Sequence, residues 1–410
     1  MTSVLRQKAQ ETPDERRQRK SADFPSVEKK LPLRWYRRST SVIDFVSSVL
    51  GQRNPLAQPA NPRDNTVWLL DNTAYRPVRR GRKGTQTWQA EIVACVFVAG
   101  DREDIGEFVA SLADAIGLDG ELGKDETVRR RIQERLQPFL TKISPSRSLT
   151  LEIPLPNGQR RQHQLGPTND NGIANKTLPI DGRTVKNGTV VKPYLKGWDD
   201  MVSMETRFAS PEGWLVISDI DDTIKYTQTP EPTGILRTTF AEEPKPIPGM
   251  PQFYSHVQKY LVPTWFYLSA SPYNLYPFLR QFLRSNYSPG TLILRDFSWM
   301  DLGALLKTFT QGTQTYKVDR MKKIHQWLPG RKVLCVGDST QSDPEAYAEI
   351  YKKYPGWVHA IFIRKVTDVA HMEKKNTDER FQNAFKGIPQ HVWKVFEKPE
   401  ELHRLVEKLK

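Results

Sequence analysis

Two cysteines in 410 residues cannot build a disulfide framework or a structural zinc site. Cys95 lies in the apolar run Ile92–Val98 and Cys335 in Val333–Val336, so both read as small core residues in a reducing compartment. No apolar stretch approaches the length of a membrane span, and the first residues lack the apolar core of a secretion signal. The expectation is a soluble, intracellular protein. Zinc-finger, RNP and helix-turn-helix patterns are also missing, so no nucleic-acid partner is expected. Acids are in deficit: 47 Asp and Glu face 61 Lys and Arg, a net charge of +14. Such a balance suits anionic membranes, nucleic acid or acidic substrates. The basic residues cluster at Arg16–Lys20, Lys29–Lys30, Arg34–Arg38 and Arg76–Lys83, with few aromatics around the first group. Membrane phosphates are therefore the preferred partner.

The length suggests two or three domains with an ample core. Residues 1–62 read as a basic N-terminal segment, disordered from Met1 to about Lys30 because core-forming residues are scarce. Within it, Trp35, Val42, Ile43, Val46 and Leu50 fall near helical spacing beside Arg34, Arg37 and Arg38. That helix, over Leu33–Val49, either docks on the next domain or lies on a membrane. Pro55, Pro59 and Pro62 mark Gln52–Arg63 as a linker. Residues 63–205 form a mainly β accessory domain, with strands at Val67–Leu70, Trp88–Val98, Leu149–Ile153, Arg161–Leu165, Thr177–Ile180 and Thr189–Val191. Helices are expected at Asp104–Ile116 and Glu126–Leu140. No His, Cys or paired-acid cluster there suggests chemistry, so binding or support is its expected role.

Residues 206–410 alternate strands with helices, the pattern of a parallel sheet with helices on both faces. Strands are expected at Trp214–Ile217, Thr264–Leu268, Leu292–Leu294, Val333–Val336 and Val358–Ile363, with helices at Met250–Val262, Tyr273–Ser285, Val318–Trp327 and Glu345–Lys353. Ligands of open α/β sheets bind beyond the carboxyl ends of the strands. The polar residues at those ends are the ones that matter.

Trp214–Ile217 is followed by Asp219-Ile-Asp221-Asp222-Thr223. Residues i and i+2 of an extended chain point the same way, so Asp219 and Asp221 lean toward one site. A divalent cation neutralises such acids best; a solvated turn or a calcium loop is the alternative, though Ile224-Lys225-Tyr226 is a poor calcium loop. Beyond the next strand come Ser269-Ala-Ser271-Pro272, able to hold phosphate oxygens. Beyond Val336 come Gly337-Asp338 and Asp343, and between these two loops Lys317 opens a helix. Singly, Ser269 and Asp338 read as helix caps and Lys317 as a solvated cation. Together the set points to phosphoryl transfer.

Asp219-Ile-Asp221-Asp222-Thr223 resembles the DxDxT signature of haloacid-dehalogenase-like phosphatases, with Ser269, Lys317 and Gly337-Asp338…Asp343 similar to their later motifs. The wording of Ser218–Thr223, Tyr267–Tyr276 and Gly337–Glu345 is similar to a narrower group, the fungal actin-patch magnesium-dependent phosphatidate phosphatases, lipin-related in their catalytic region. The resemblance is close from about Pro211 onward, looser over the accessory domain, and absent from the first sixty residues. It implies a haloacid-dehalogenase-like sheet without a large cap. It also implies Asp219 as nucleophile, Asp221 as general acid and base, and Ser269 and Lys317 as phosphate ligands. Mg2+ would be held by Asp219, the backbone carbonyl of Asp221 and Asp338, supported by Asp343. Thr223 would orient the loop, and Asp222 receives no role. No proline-rich tail precedes Lys410, which weakens the implied recruitment to cortical actin and endocytic proteins.

About forty residues separate Thr223 from the next strand, too few for a folded cap, so an open site is expected. Arg237, Lys245, Arg280 and Arg295 are candidates for added charge at its mouth. The expected substrate is phosphatidate at an anionic membrane surface, cleaved to diacylglycerol and phosphate by a cytoplasmic, peripherally bound enzyme. Another phosphomonoester or phosphoprotein, or a non-catalytic phospholipid-binding role, are the alternatives.

Overall fold

The computed structural model describes residues 11–31, 57–77, 87–100, 106–117, 125–154, 158–180, 185–198, 202–295 and 302–410. Six strands form one parallel sheet: β1 (Trp214–Asp219), β2 (Thr264–Pro272), β3 (Thr291–Arg295), β4 (Lys332–Asp338), β5 (Val358–Arg364) and β6 (Trp393–Phe396), in the order β3-β2-β1-β4-β5-β6. Every residue of β1 is buried, which is why it reads as a continuous apolar run. Period-two alternation divides its side chains. Val216 enters one core with Phe253 and Leu279, from the Met250–Leu261 and Tyr276–Asn286 helices. Leu215 and Ile217 enter the other with Val318, Met321 and Ala346, from the Thr313–Trp327 and Asp343–Lys353 helices. Asp219 continues the second series, so it leaves the strand toward the helices that carry Lys317 and Asp343.

Upstream lie two further sheets around a third core. The larger joins Asn65–Leu69, Asn72–Tyr75, Trp88–Val98, Ile173–Ile180, Val190–Val191 and Thr206–Phe208; the smaller contains Arg147–Pro154 and Arg160–Leu165. Thr206–Phe208 pairs with Asn72–Ala74, so the chain leaves the upstream sheet only after residue 208. Upstream and parallel sheets meet through polar contacts: Thr73 and Thr291 share a hydroxyl hydrogen bond of 2.6 Å, and Arg280 donates two bonds of 2.6 and 2.7 Å to Asp71. The ring of Tyr75 stacks on Trp327 at 5.5 Å. The fold is thus mixed α/β, with a helix-flanked parallel sheet beside the other sheets.

Several expectations need correction. Residues 11–31, read as part of a disordered segment, form two helices, Pro13–Ser21 and Phe24–Lys30. Thr12 and Glu15 cap the first reciprocally, and Phe24 and Leu31 are buried in the first core. Arg19 ties the segment down: only 6% exposed, it pairs with Glu11 at 3.0 Å and Glu28 at 2.7 Å and donates to the Thr310 hydroxyl. Gln58–Pro59, inside the expected linker, pairs with Arg147–Ser148. The Leu302–Thr310 helix and β6 were not anticipated, and the helix bearing Lys317 begins at Thr313, five residues before the expected Val318. The Leu33–Val49 helix and Arg79–Lys83 lie outside the described residues. Among the described residues, no helix is long and apolar enough to cross a membrane.

Replacing Arg19 takes the cation from Glu28 and leaves Glu11 with Arg16 alone, a local loss of roughly 1–3 kcal/mol. Arg19→Ala should therefore speed cleavage within residues 11–31 by a glutamate-specific protease. Cleavage at the wild-type rate would show that Arg19 does not hold the segment.

Candidate active site

Asp219 ends β1 at 1% exposure, and Asp338 ends the neighbouring β4 fully buried. The Asp343–Lys353 helix starts at Asp343, whose Oδ2 accepts the backbone N–H of Asp338 at 3.0 Å. The chain reaches this arrangement only because residue 337 is glycine. A Cβ there would stand 2.6–2.8 Å from the Asp343 side chain. From the Thr313–Trp327 helix, the ammonium of Lys317 reaches Asp219 Oδ1 at 2.7 Å and also pairs with Asp343. The Thr223 hydroxyl lies 3.0 Å from Asp219 Oδ2 and 2.9 Å from Asp338 Oδ2 and bridges them. One oxygen each of Asp219, Asp338 and Asp343 lies within 4.8 Å of the others.

Asp221 occupies an adjoining polar shelf. Its Oδ2 accepts the Ser269 hydroxyl at 2.6 Å and its Oδ1 that of Thr227 at 2.9 Å. Lys225, 1% exposed, places its ammonium 3.9 Å from Asp221 Oδ1 and donates to the Thr227 hydroxyl at 2.8 Å. The fold-back that makes this possible is set by Asp222, in the left-handed region at φ 60°. Asp222 Oδ1 accepts the N–H groups of Thr227 and Gln228, and its Oδ2 the N–H and hydroxyl of Thr229. Asp222 therefore shapes the loop, while its two neighbouring acids face the site.

Charge is the dominant feature. Burial raises the Asp219 carboxyl well above the ordinary 3.8; Lys317 lowers it, while Asp343, Asp338 and Asp221 raise it further. Asp338 is raised for the same reasons, chiefly burial and then Asp343. Burial opposes the Lys317 ammonium, yet Asp219, Asp343 and Asp338 together hold its pKa above the ordinary lysine value. Three buried carboxylates thus share one buried ammonium. Asp219 Oδ1 has that ammonium as counter-charge but no well-directed hydrogen-bond donor. Such a donor set, all hard oxygens short of positive charge, fits a divalent cation.

The structure brings Asp219, Lys317, Asp338 and Asp343 into contact and sets Asp221 and Ser269 beside them; the Asp221 carboxylate lies outside the three-oxygen group. The expected open site is corrected, since none of these residues is more than 2% exposed. So are two of the four cations expected at its mouth. Arg280 serves Asp71, and Arg295 donates to the carbonyls of Thr308 and Gln311. Arg237 bonds the Gln228 side chain and pairs with Glu242 at 2.8 Å.

Several residues escaped the sequence reading. Lys225 follows Asp221 by four positions, a spacing that carries no signal outside a helix. Thr340 donates both its N–H and its hydroxyl to Asp338 Oδ1. Arg380 then holds that loop through the carbonyls of Ser339 and Gln341, and Arg364 holds the Asp222 carbonyl. The Lys375 ammonium donates to the Thr340 carbonyl, its pKa pushed down to about 8 by burial and then by Arg380.

Residues 214–365 match the profile of the family described as "Phosphatidate phosphatase APP1, catalytic domain". The chain is 27% identical over 338 residues to the phosphatidate phosphatase APP1 of Saccharomyces cerevisiae, covering 78% of this chain and 55% of the relative. It is 30% identical over 194 residues to a Schizosaccharomyces pombe protein described as uncharacterized, covering 46% of this chain and 30% of that one. The chain therefore spans about half the length of the first relative and less of the second.

Where Asp219 and Asp338 are raised above 3.8, the native state holds more protons than the unfolded chain. Their contribution to stability consequently falls as pH rises from about 4 through the raised values. A bound cation removes that loss. The gain in unfolding temperature on adding a divalent cation should be larger at pH 7.5 than at pH 5.5, and absent in Asp338→Asn. An equal gain at both pH values, or one that survives in Asp338→Asn, would contradict the assignment.

Proposed function

Residues 214–365 belong to the APP1-type phosphatidate phosphatase family, and on that premise we propose that the chain is a Mg2+-dependent phosphatidate phosphatase. It releases phosphate and diacylglycerol from phosphatidate through an aspartyl-phosphate. The observation that carries this reading is the buried Asp219–Asp338–Asp343 group with Lys317 as its single ammonium. The parallel sheet and the order of its motifs support a haloacid-dehalogenase-like domain over 206–410, with 63–205 as a binding or supporting domain.

Asp219 Oδ1 or Oδ2 attacks phosphorus, and the bond from phosphorus to the glycerol oxygen breaks. Asp221 gives its proton to that oxygen, so diacylglycerol leaves as an alcohol. Asp221 then takes a proton from water, which attacks phosphorus and frees the Asp219 carboxylate and inorganic phosphate. Thr227, 2.9 Å from Asp221 Oδ1, fixes its direction through both steps, and the Ser269 hydroxyl, 2.6 Å from Oδ2 before substrate arrives, then turns to the phosphoryl group. Lys317 and the Ser269 hydroxyl bind the transferring phosphoryl oxygens as charge spreads over them. Thr223 holds Asp219 and Asp338 in register. Asp219, the Asp221 carbonyl, Asp338 and Asp343 would hold Mg2+, which would supply charge neutralisation for the incoming phosphate. The basic balance of the chain supports peripheral attachment to an anionic cytoplasmic membrane surface, with cortical actin-patch proteins as the partners that the resemblance names.

The test is phosphate release from phosphatidate in mixed micelles, with and without Mg2+. Asp219→Asn should abolish it, and Asp221→Asn should lower it roughly 10²–10⁴-fold, both with unchanged circular dichroism. Retained activity in folded Asp219→Asn would remove the nucleophile. Turnover of a soluble phosphomonoester but not of phosphatidate would remove the substrate.

A further inference from the structure

A cleft of about 550 Å3, none of whose lining residues has a part in the proposed chemistry, lies between the Glu126–Leu140 and Tyr276–Asn286 helices. Its two walls come from different parts of the chain. The Glu126–Leu140 helix of the upstream region contributes Arg130, Arg131 and Arg135, and the segment entering the Tyr276–Asn286 helix contributes Leu275, Pro277 and Phe278. One wall is cationic and the other apolar. The size is that of a small-molecule site, and the pairing of walls suits an anionic amphiphile.

The arginines are not equivalent. Arg135 donates to the carbonyls of Thr239 and Glu242 and lies over the Phe278 ring at 4.4 Å. It fixes the wall. Arg131 donates to the Ala241 carbonyl and pairs with Glu243, one of two acids in the cleft. The other, Glu134, forms no ion pair among the described residues. Arg130 is exposed and forms no ion pair among the described residues. It is the arginine left to meet a phosphate.

The position of Phe278 connects the cleft to the chemistry. Its ring has Arg135 on one side and the Lys225 ammonium 5.7 Å away. Lys225 in turn stands 3.9 Å from Asp221 Oδ1. A lipid seated against Phe278 is therefore separated from Asp221 by two side chains, Phe278 and Lys225. We propose that this cleft binds the glycerophospholipid substrate, with the acyl-glycerol part against Leu275, Pro277 and Phe278 and Arg130 attracting the anionic lipid surface. This inference rests on the reading of the chain as a lipid phosphatase and adds where the lipid lies. It also gives the upstream helix a share in substrate recognition.

Both natural cysteines are buried, so one introduced thiol can be labelled selectively. Gln281, which lines the cleft and is exposed, is replaced by cysteine in full-length Asp219→Asn and labelled with a polarity-sensitive bimane. Ser285→Cys in the same cleft is the second position, and Ser255→Cys on the exposed face of the Met250–Leu261 helix is the control. Phosphatidylcholine vesicles containing phosphatidate should shift the emission to the blue at both cleft positions and not at Ser255→Cys. Phosphatidylcholine alone should give no shift. Arg130→Glu should raise the phosphatidate fraction needed for half the shift roughly tenfold. No shift at either cleft position, or an equal shift at all three, would overturn the proposal. Hydrolysis by the unlabelled wild type is measured in parallel: hydrolysis without a shift removes the cleft alone. A shift without hydrolysis keeps the cleft and removes the phosphatase.

Discussion

Three buried carboxylates around one ammonium set the terms for everything near the ends of β1 and β4. An unpaired charge in the interior costs several kcal/mol even after relaxation. Asp219, Asp338 and Asp343 are each less than 2% exposed and share Lys317. The other two acids of the region are provided for. Asp222 takes four hydrogen bonds from its own loop, and Asp221 has Ser269, Thr227 and Lys225. The shortfall of positive charge is therefore confined to one spot. That is the spot that the proposed divalent cation and phosphoryl group would occupy.

The fold produces this spot by simple periodicities. Alternation along β1 sends Asp219 to the side where Leu215 and Ile217 meet the helices carrying Lys317 and Asp343. Parallel pairing of β1 with β4 brings Asp338 alongside, and Gly337 lets the Asp343 carboxylate close over the strand end. A second ring of groups then fixes the loops through backbone carbonyls: Arg380 on Ser339 and Gln341, Arg364 on Asp222, Lys375 on Thr340. These cations touch none of the reacting groups. They hold the peptide planes from which the acids project.

Much of this was legible in the chain. Trp214–Ile217 announces a buried strand by composition, and acids two apart at its end announce convergence. The Gly337–Asp343 loop is equally plain, because a glycine and two acids after an apolar run have few other uses. Lys317 was legible only as a member of the set. Its helix turned out to begin earlier, at Thr313, a buried residue that looks like a loop residue in sequence. Lys225 was invisible for a different reason: its place beside Asp221 depends on the left-handed Asp222 that reverses the chain. The two N-terminal helices were missed because their stability is tertiary. Charged residues that suggest disorder are gathered there by one buried arginine, Arg19, onto a helix about 290 positions away, at Thr310. The openness of the site was misjudged because the distance between two strands says nothing about what neighbouring loops cover.

The central claim is that Asp219, and no other residue, carries the phosphoryl group between its two owners. Phosphatidate turnover by the wild type, quenched in acid within milliseconds and reduced with borohydride, converts an aspartyl-phosphate to homoserine. Peptide mass spectrometry should find homoserine at position 219 alone, dependent on both lipid and Mg2+. Homoserine at another aspartate, or phosphate release at full rate with position 219 unmodified, would contradict the account.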